Sequence, residues 1–143
     1  MTKRLMARNI MSSPVETIEE RATLDKAAAK LLSKGISALL VAPEDEDEPF
    51  GIVTSADLVG AVARGMRPNF TRVSDVMSSP LLVVTPNVPA EHVARLMERG
   101  VVRHVAVFNG REIVGIVSHR DVLKAMTPEN LDEAVREQAK AAA

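Results

Sequence analysis

With 143 residues and 46% apolar side chains the chain can bury a core of its own, and having no cysteine it can form no disulfide, thiolate metal site or thiol nucleophile. Its net charge of −1 hides a local concentration, because "EDEDE" at Glu44–Glu48 holds five of the nineteen acids, and outside it 18 basic residues face 14 acidic ones. That mild basic excess suits a small anion, whereas the absence of a dense basic stripe, of Trp and of Tyr, with only three Phe, argues against nucleic acid as the partner.

The opening "MTKRLMARNIMSS" is basic and carries no apolar stretch of signal-peptide length, and no run anywhere approaches a membrane span, so a soluble cytoplasmic protein without membrane contact is expected. After the turn at Met11-Ser12-Ser13-Pro14, Val15–Ile18 is expected to be extended, since proline disfavours helix in the residue before it and β-branched residues favour strands. Leu24, Ala27, Ala28, Leu31 and Leu32 then recur at helical spacing, and Gly35 is placed to cap that helix. Strands at Ile36–Ala42 and Phe50–Val53 follow, joined by the acidic run as a solvated hairpin tip that lacks the glycine and alternating ligands of a calcium loop. A second helix starts at Ser55 and turns Leu58, Ala61 and Val62 inward, and "RGMRPNFTR", Arg64–Arg72, links onward.

The same order then recurs. Met-Ser-Ser-Pro returns at Met77, an extended piece is expected at Leu81–Thr85, and a helical stripe falls at Ala90, Val93, Ala94 and Met97. Gly100 answers Gly35 as the expected cap, and strands Val101–Phe108 and Ile113–Val117 meet through Asn109-Gly110, a strong hairpin signal. A last helix from His119 would bury Val122, Ala125 and Met126. "GIVTSAD", Gly51–Asp57, finds its copy in "GIVSHRD", Gly115–Asp121. The interval between copies shortens by one from the Met11/Met77 pair to the Gly35/Gly100 pair, and by one more to the Gly51/Gly115 pair. That places one lost residue before the second copy's first helix and another in its hairpin. The division expected is repeat 1 over 1–66, a linker over 67–74, repeat 2 over 75–126 and a helical tail over 127–143 with Thr127 as N-cap. Each repeat, of β-α-β-β-α order, is small enough that a single core shared by the two is expected.

The duplicated G-I-V-[S/T]-x-x-D frame admits two readings. A carboxylate offers several acceptor positions to the two donors of a vicinal diol such as that of a ribose, and a helix start favours a nearby phosphate. Equally, [S/T]-x-x-D at a helix start is a capping box, and the two roles can coexist because a cap occupies one oxygen. Ser118, His119 and Asp121 are the residue types of a hydrolase triad, but neighbours at a helix start diverge in direction, so no enzyme activity is expected. Three scattered histidines show no metal-ligand spacing, and no metal site is expected.

On the paired Met-Ser-Ser-Pro turns, the paired G-I-V-[S/T]-x-x-D segments and the doubled β-α-β-β-α order, the chain resembles a tandem cystathionine-β-synthase (CBS) domain pair, or Bateman module, over Asn9–Met126. The resemblance implies a mixed α/β (α+β) fold in which two repeats pack about a pseudo-twofold axis and bind an adenosyl ligand, such as AMP, ADP, ATP or S-adenosylmethionine, in clefts between them. It assigns the ribose to Asp57 and Asp121, with Thr54 and Ser118 beside them. One cleft would combine Ser118 and Asp121 with Arg103, His104, His119, Arg120, Ile36 and Ser13, Pro14 and Val15. The other would combine Thr54 and Asp57 with Val101 and Ser79, Pro80 and Leu81. Because Arg103-His104 faces the apolar Ala38-Leu39 in the other copy, the Asp121 cleft is the expected anion site. The resemblance further implies a homodimer, no obligatory cofactor and a sensory role in which an unidentified effector protein receives the signal. The alternative is a constitutive dimeric interaction protein whose clefts are vestigial.

Overall fold

A computed structural model describes residues 4–127. In chain order they form α1 (Ala7–Ile10), β1 (Thr17–Glu19), α2 (Leu24–Lys34), β2 (Ala38–Ala42), β3 (Gly51–Thr54), α3 (Ser55–Ala63), a 3-10 turn (Val73–Asp75), β4 (Val83–Val84), α4 (Ala90–Gly100), β5 (His104–Phe108), β6 (Ile113–Ser118) and α5 (His119–Ala125). The expected tail helix beyond Thr127 lies outside the described residues. Two three-stranded sheets result, β1-β2-β3 and β4-β5-β6, each with its first pair parallel and its second antiparallel.

The chain divides into two compact units whose limits differ from those of the repeats. Unit 2 is Pro14–Leu82, while unit 1 joins the N-terminal segment through Ser13 to the chain from Val83 onward. Each unit encloses its own buried cluster, where a single shared core was expected. In unit 2, Leu24, Ala27 and Leu31 of α2 meet Leu39, Val41 and Val53 of the sheet. In unit 1, Val93 and Met97 of α4 meet Val105, Val107 and Val117, and Ala7 of α1 is buried with them. Burying one such aliphatic side chain contributes about 1.5–3 kcal/mol, which is why the amphipathic stripes dictate the packing.

Three residues expected inside are exposed instead: Leu32 (83%), Val62 (59%) and Met126 (75%). Each directly follows a buried or half-buried helical residue, and a step of about 100° around the helix carries it off the covered face.

The structure also moves the repeat alignment. The parallel pair Thr17↔Leu40 corresponds to Val83↔Ala106, and α2 and β2 correspond to α4 and β5 at the same interval that separates Met11 from Met77. Only past the hairpin does that interval shorten, since Ala38↔Thr54 corresponds to His104↔Ser118. Both missing residues therefore belong to the hairpin, and none is lost before α4. Gly35 takes the left-handed cap of α2 (φ 64°), with Ile36 N–H donating to Leu31 O at 3.1 Å. The matching place in α4 falls one residue beyond Gly100, on Val101 (φ 52°), with Val102 N–H donating to Met97 O at 3.0 Å. A β-branched residue held there costs about 1–2 kcal/mol.

Candidate functional site

Strands β3 and β6 both end on a hydroxyl residue that turns the chain into a helix, and this corner is built alike in the two units. At the unit 2 corner, Asp57 Oδ2 accepts from Thr54 N–H at 2.8 Å and from the Thr54 hydroxyl at 3.0 Å, and Asp57 N–H donates to Thr54 Oγ1 at 3.3 Å. At the unit 1 corner, Asp121 Oδ2 accepts from Ser118 N–H at 2.8 Å and from the Ser118 hydroxyl at 3.0 Å, with Asp121 N–H returning a bond to Ser118 Oγ at 3.2 Å. Both are complete capping boxes, satisfying helix-start N–H groups that otherwise lack partners.

The corners then diverge. Ser12, from the N-terminal segment, donates its hydroxyl to both Asp121 oxygens at 3.3 Å, and Asp121 is 5% exposed, the one buried charged side chain among the described residues. Asp57 is half-buried. Ser78 occupies the place in unit 2 that Ser12 occupies in unit 1. Its N–H and C=O bond those of Ile52, both at 2.9 Å, as Ser12 bonds Ile116 at 2.9 and 3.1 Å. Among the described residues, however, no bond joins the Ser78 hydroxyl to Asp57.

These bridges explain two of the recurrent residue types. Each Met-Ser-Ser-Pro turn lies along the G-I-V strand of the other sequence repeat, and the glycine of that strand leaves room for the incoming methionine. A Cβ on Gly115 would sit 2.7 Å from Met11 Cγ, and one on Gly51 would sit 2.8 Å from Ser78 O and 3.0 Å from Met77 Sδ.

Around the unit 1 corner, His104 stands opposite Ser118 across the β5–β6 pair, and His119 N–H donates to Arg103 O at 3.1 Å. Arg103, His119 and Val101 line a hollow of about 540 Å³ between α4 and α5, walled by Met97, Val122 and Leu123. Arg120 is exposed at the start of α5. Around the unit 2 corner, Ser79 and Leu81 bond the carbonyl of Phe50, which precedes β3, while Thr54 closes the far end of that strand. Pro80 lies between them and is exposed. Of the remaining expected residues, Pro14, Val15 and Ile36 belong to unit 2, and Ser13 and Val101 to unit 1. With the alignment corrected, the counterparts of Arg103-His104 are Ser37-Ala38, and that of Ile36 is Val102. Sequence reasoning named Ser13 and passed over Ser12, although the repeated Met-Ser-Ser-Pro contained it. Among the described residues no group of three His, Asp or Glu side chains gathers where a metal ion could be held, and no helix is long and apolar enough to cross a membrane.

Comparison with known proteins adds an independent line. The family profile of the CBS domain matches residues 7–64 and again 73–128. Hypoxic response protein 1 of Mycobacterium tuberculosis (strain H37Rv) is 30% identical over 119 residues, covering 82% of each chain. An uncharacterised protein of Methanopyrus kandleri is 32% identical over 117 residues, which span 80% of this chain and 56% of that longer one. Among solved structures, a hexameric CBS-CP12 protein from bloom-forming cyanobacteria superposes with a TM-score of 0.81 at 36% identity, covering 97% of this chain and 87% of that one. Two others are described with ligands. A CBS domain protein from Pyrobaculum aerophilum complexed with AMP matches at 25% identity with a TM-score of 0.72, over 82% of this chain and 89% of its own. The CBS domain pair of protein MJ0100, in complex with 5′-methylthioadenosine and S-adenosyl-L-methionine, matches at 25% identity with a TM-score of 0.76, over 87% and 97%.

Proposed function

The chain belongs to the CBS-domain family, and from that premise we propose that it is a non-enzymatic regulatory module that binds an adenosyl compound at its two strand-to-helix corners and passes the bound state to another protein. The observation that carries the reading is the twofold occurrence of a carboxylate and a hydroxyl at a helix start, in a chain whose structural neighbours include proteins complexed with AMP and with S-adenosylmethionine. The assigned chemistry is simple. Asp57 and Asp121 accept the two donors of a ribose diol while Thr54 and Ser118 hold the carboxylates in place. Arg103, His104, His119 and Arg120 supply the cationic and donor groups that would meet a phosphate, and all four belong to unit 1. No tryptophan or tyrosine exists to stack on a base, so aliphatic groups such as Val15, Ile36, Val101 and Leu81, with the backbone of Ser13–Pro14 and Ser79–Pro80, are assigned to the adenine. A homodimer is part of the proposal, supported by the apolar residues left exposed on the helices, Leu32, Val59, Val62 and Leu123 among them.

Thermal-shift measurement with AMP, ADP, ATP and S-adenosylmethionine tests the reading. A ligand at a hundred times its Kd stabilises the fold by about 2.7 kcal/mol, a rise in Tm of about 5–10 °C for a chain of this size. If none of these compounds moves the melt at millimolar concentration, the reading fails.

A second reading has one observation in its favour. Both capping boxes are complete from the protein's own groups, and Asp121 is buried with three donors on its carboxylate, as in a fold kept for constitutive association. The same melts separate the two, since that protein would respond to no adenosyl compound.

A further inference from the structure

The two corners share a backbone design and differ in one side-chain contact. A carboxylate has about four acceptor positions. At Asp57, one oxygen takes both Thr54 donors, and the other, Oδ1, receives no protein donor among the described residues. At Asp121, Oδ2 takes the two Ser118 donors, and the Ser12 hydroxyl is divided between Oδ1 and Oδ2 at 3.3 Å to each. Ser12 is thus a hydroxyl donor resting on the two oxygens that a diol would address. We infer that Ser12 is a built-in competitor for the Asp121 carboxylate: a ribose-type diol reaches the unit 1 corner only by turning Ser12 away, while the unit 2 corner accepts one without displacing any protein group. The inference rests on the ribose-binding reading above.

Three features make the displacement local. The Ser12 bond is long and shared, so each half of it is weak. The backbone bridge of Ser12 to Ile116 uses only main-chain groups, so rotating the side chain leaves it intact. Met11 remains seated over Gly115 in the meantime. Ser78 supplies the internal control, because it makes the same backbone bridge without reaching Asp57.

Calorimetric titration of the full chain with AMP tests this. In Asp57→Asn, which keeps a side chain able to cap α3, the binding that remains belongs to the Asp121 corner. Adding Ser12→Ala to that background should tighten AMP about tenfold, the effect of one charge-assisted hydrogen bond no longer competing. Adding Ser12→Thr, which keeps a hydroxyl, should leave the affinity as it was, and Ser78→Ala should leave the wild-type isotherm unchanged. Damage to the fold would weaken binding, so a gain cannot come from it. If wild type binds AMP and Ser12→Ala on the Asp57→Asn background produces neither new nor tighter binding, the inference falls and the functional reading stands. Where AMP gives no heat with any of these proteins, the same titrations are run with ADP, ATP and S-adenosylmethionine, and if none of the four binds, both fall together.

Discussion

Replacing each corner aspartate by alanine should affect ligand-free stability unequally. In Asp57→Ala the protein loses the half of the capping box that reaches back to Thr54 N–H at 2.8 Å. The corner is half-buried, water can take over, and the loss is that of a helix cap, about 1 kcal/mol. Asp121→Ala loses the same cap in a more enclosed place. Ser118 N–H gives up a charged acceptor in a site where the carboxylate is 5% exposed, and the Ser12 hydroxyl, on an exposed residue, loses its contact as well. An unmade bond of that kind adds about 1–2 kcal/mol, for a total of about 2–3 kcal/mol. At about 4 °C per kcal/mol for a chain of this length, Asp57→Ala should melt about 4 °C below wild type and Asp121→Ala about 8–12 °C below. Far-UV circular dichroism melts at neutral pH without ligand give both numbers. If Asp121→Ala melts with or above Asp57→Ala, the Ser12 contact contributes nothing and the asserted difference between the corners is wrong.

The glycine fit is testable by Gly115→Ala and Gly51→Ala. Overpacking against Met11 Cγ and Cβ, at 2.7 and 2.9 Å, or against the Ser78 carbonyl, should cost about 1–3 kcal/mol in thermal melts, and an unchanged Tm would refute the seating of either methionine. Val101→Gly should raise the Tm by about 2–4 °C, because relief of a left-handed valine outweighs the added freedom of glycine in the unfolded chain; a fall would mean that valine is not held in that conformation. Deleting the chain up to Ser12 removes Ala7, Ile10 and Met11 from the unit 1 cluster, at least about 3 kcal/mol of burial against a total stability of about 5–15 kcal/mol. Hydrogen exchange should then show unit 1 amides losing protection before those of unit 2, and uniform loss would contradict the assignment of that segment to unit 1.

Local periodicity carried most of the fold. The stripe Leu24-Ala27-Leu31 and its counterpart Ala90-Val93-Met97 are buried as spaced, and the Asn109-Gly110 hairpin forms, with Asn109 Oδ1 accepting from Arg111 and Glu112 N–H. What failed had physical causes that patterning does not contain. Gly100 looked like a cap because glycine is the usual left-handed residue, yet the length of α4 is set by where its stripe meets the sheet, which leaves the cap to Val101. The exposed Leu32, Val62 and Met126 continue an apolar pattern beyond the arc that a sheet can cover. Of the candidate site, both boxes were legible as motifs, since Ser/Thr and Asp three residues apart is a local signal. Ser12 reaching Asp121 was not, because nothing local relates residues 109 positions apart.

That long-range contact sits where the chain changes units. Ser12 bridges to Ile116 in unit 1, and two residues later Pro14 opens unit 2, whose β1 begins at Thr17. Ser78 bridges to Ile52 in unit 2, and five residues later Val83 returns the chain to unit 1. The two crossings make the same main-chain bridge to a G-I-V strand, but only the first ends on a side chain that holds a corner carboxylate. An occupant of Asp121 therefore bears on the residue that anchors the first crossing, and an occupant of Asp57 bears on no equivalent group. Under the proposed reading, the first crossing is where binding is felt by the chain outside the site. Because the main-chain bridge survives when the side chain turns, ligand at the unit 1 corner should shift the Ser12 Cβ resonance in NMR spectra while the Ser12 and Ile116 amides stay protected, and the Ser78 Cβ resonance should not move.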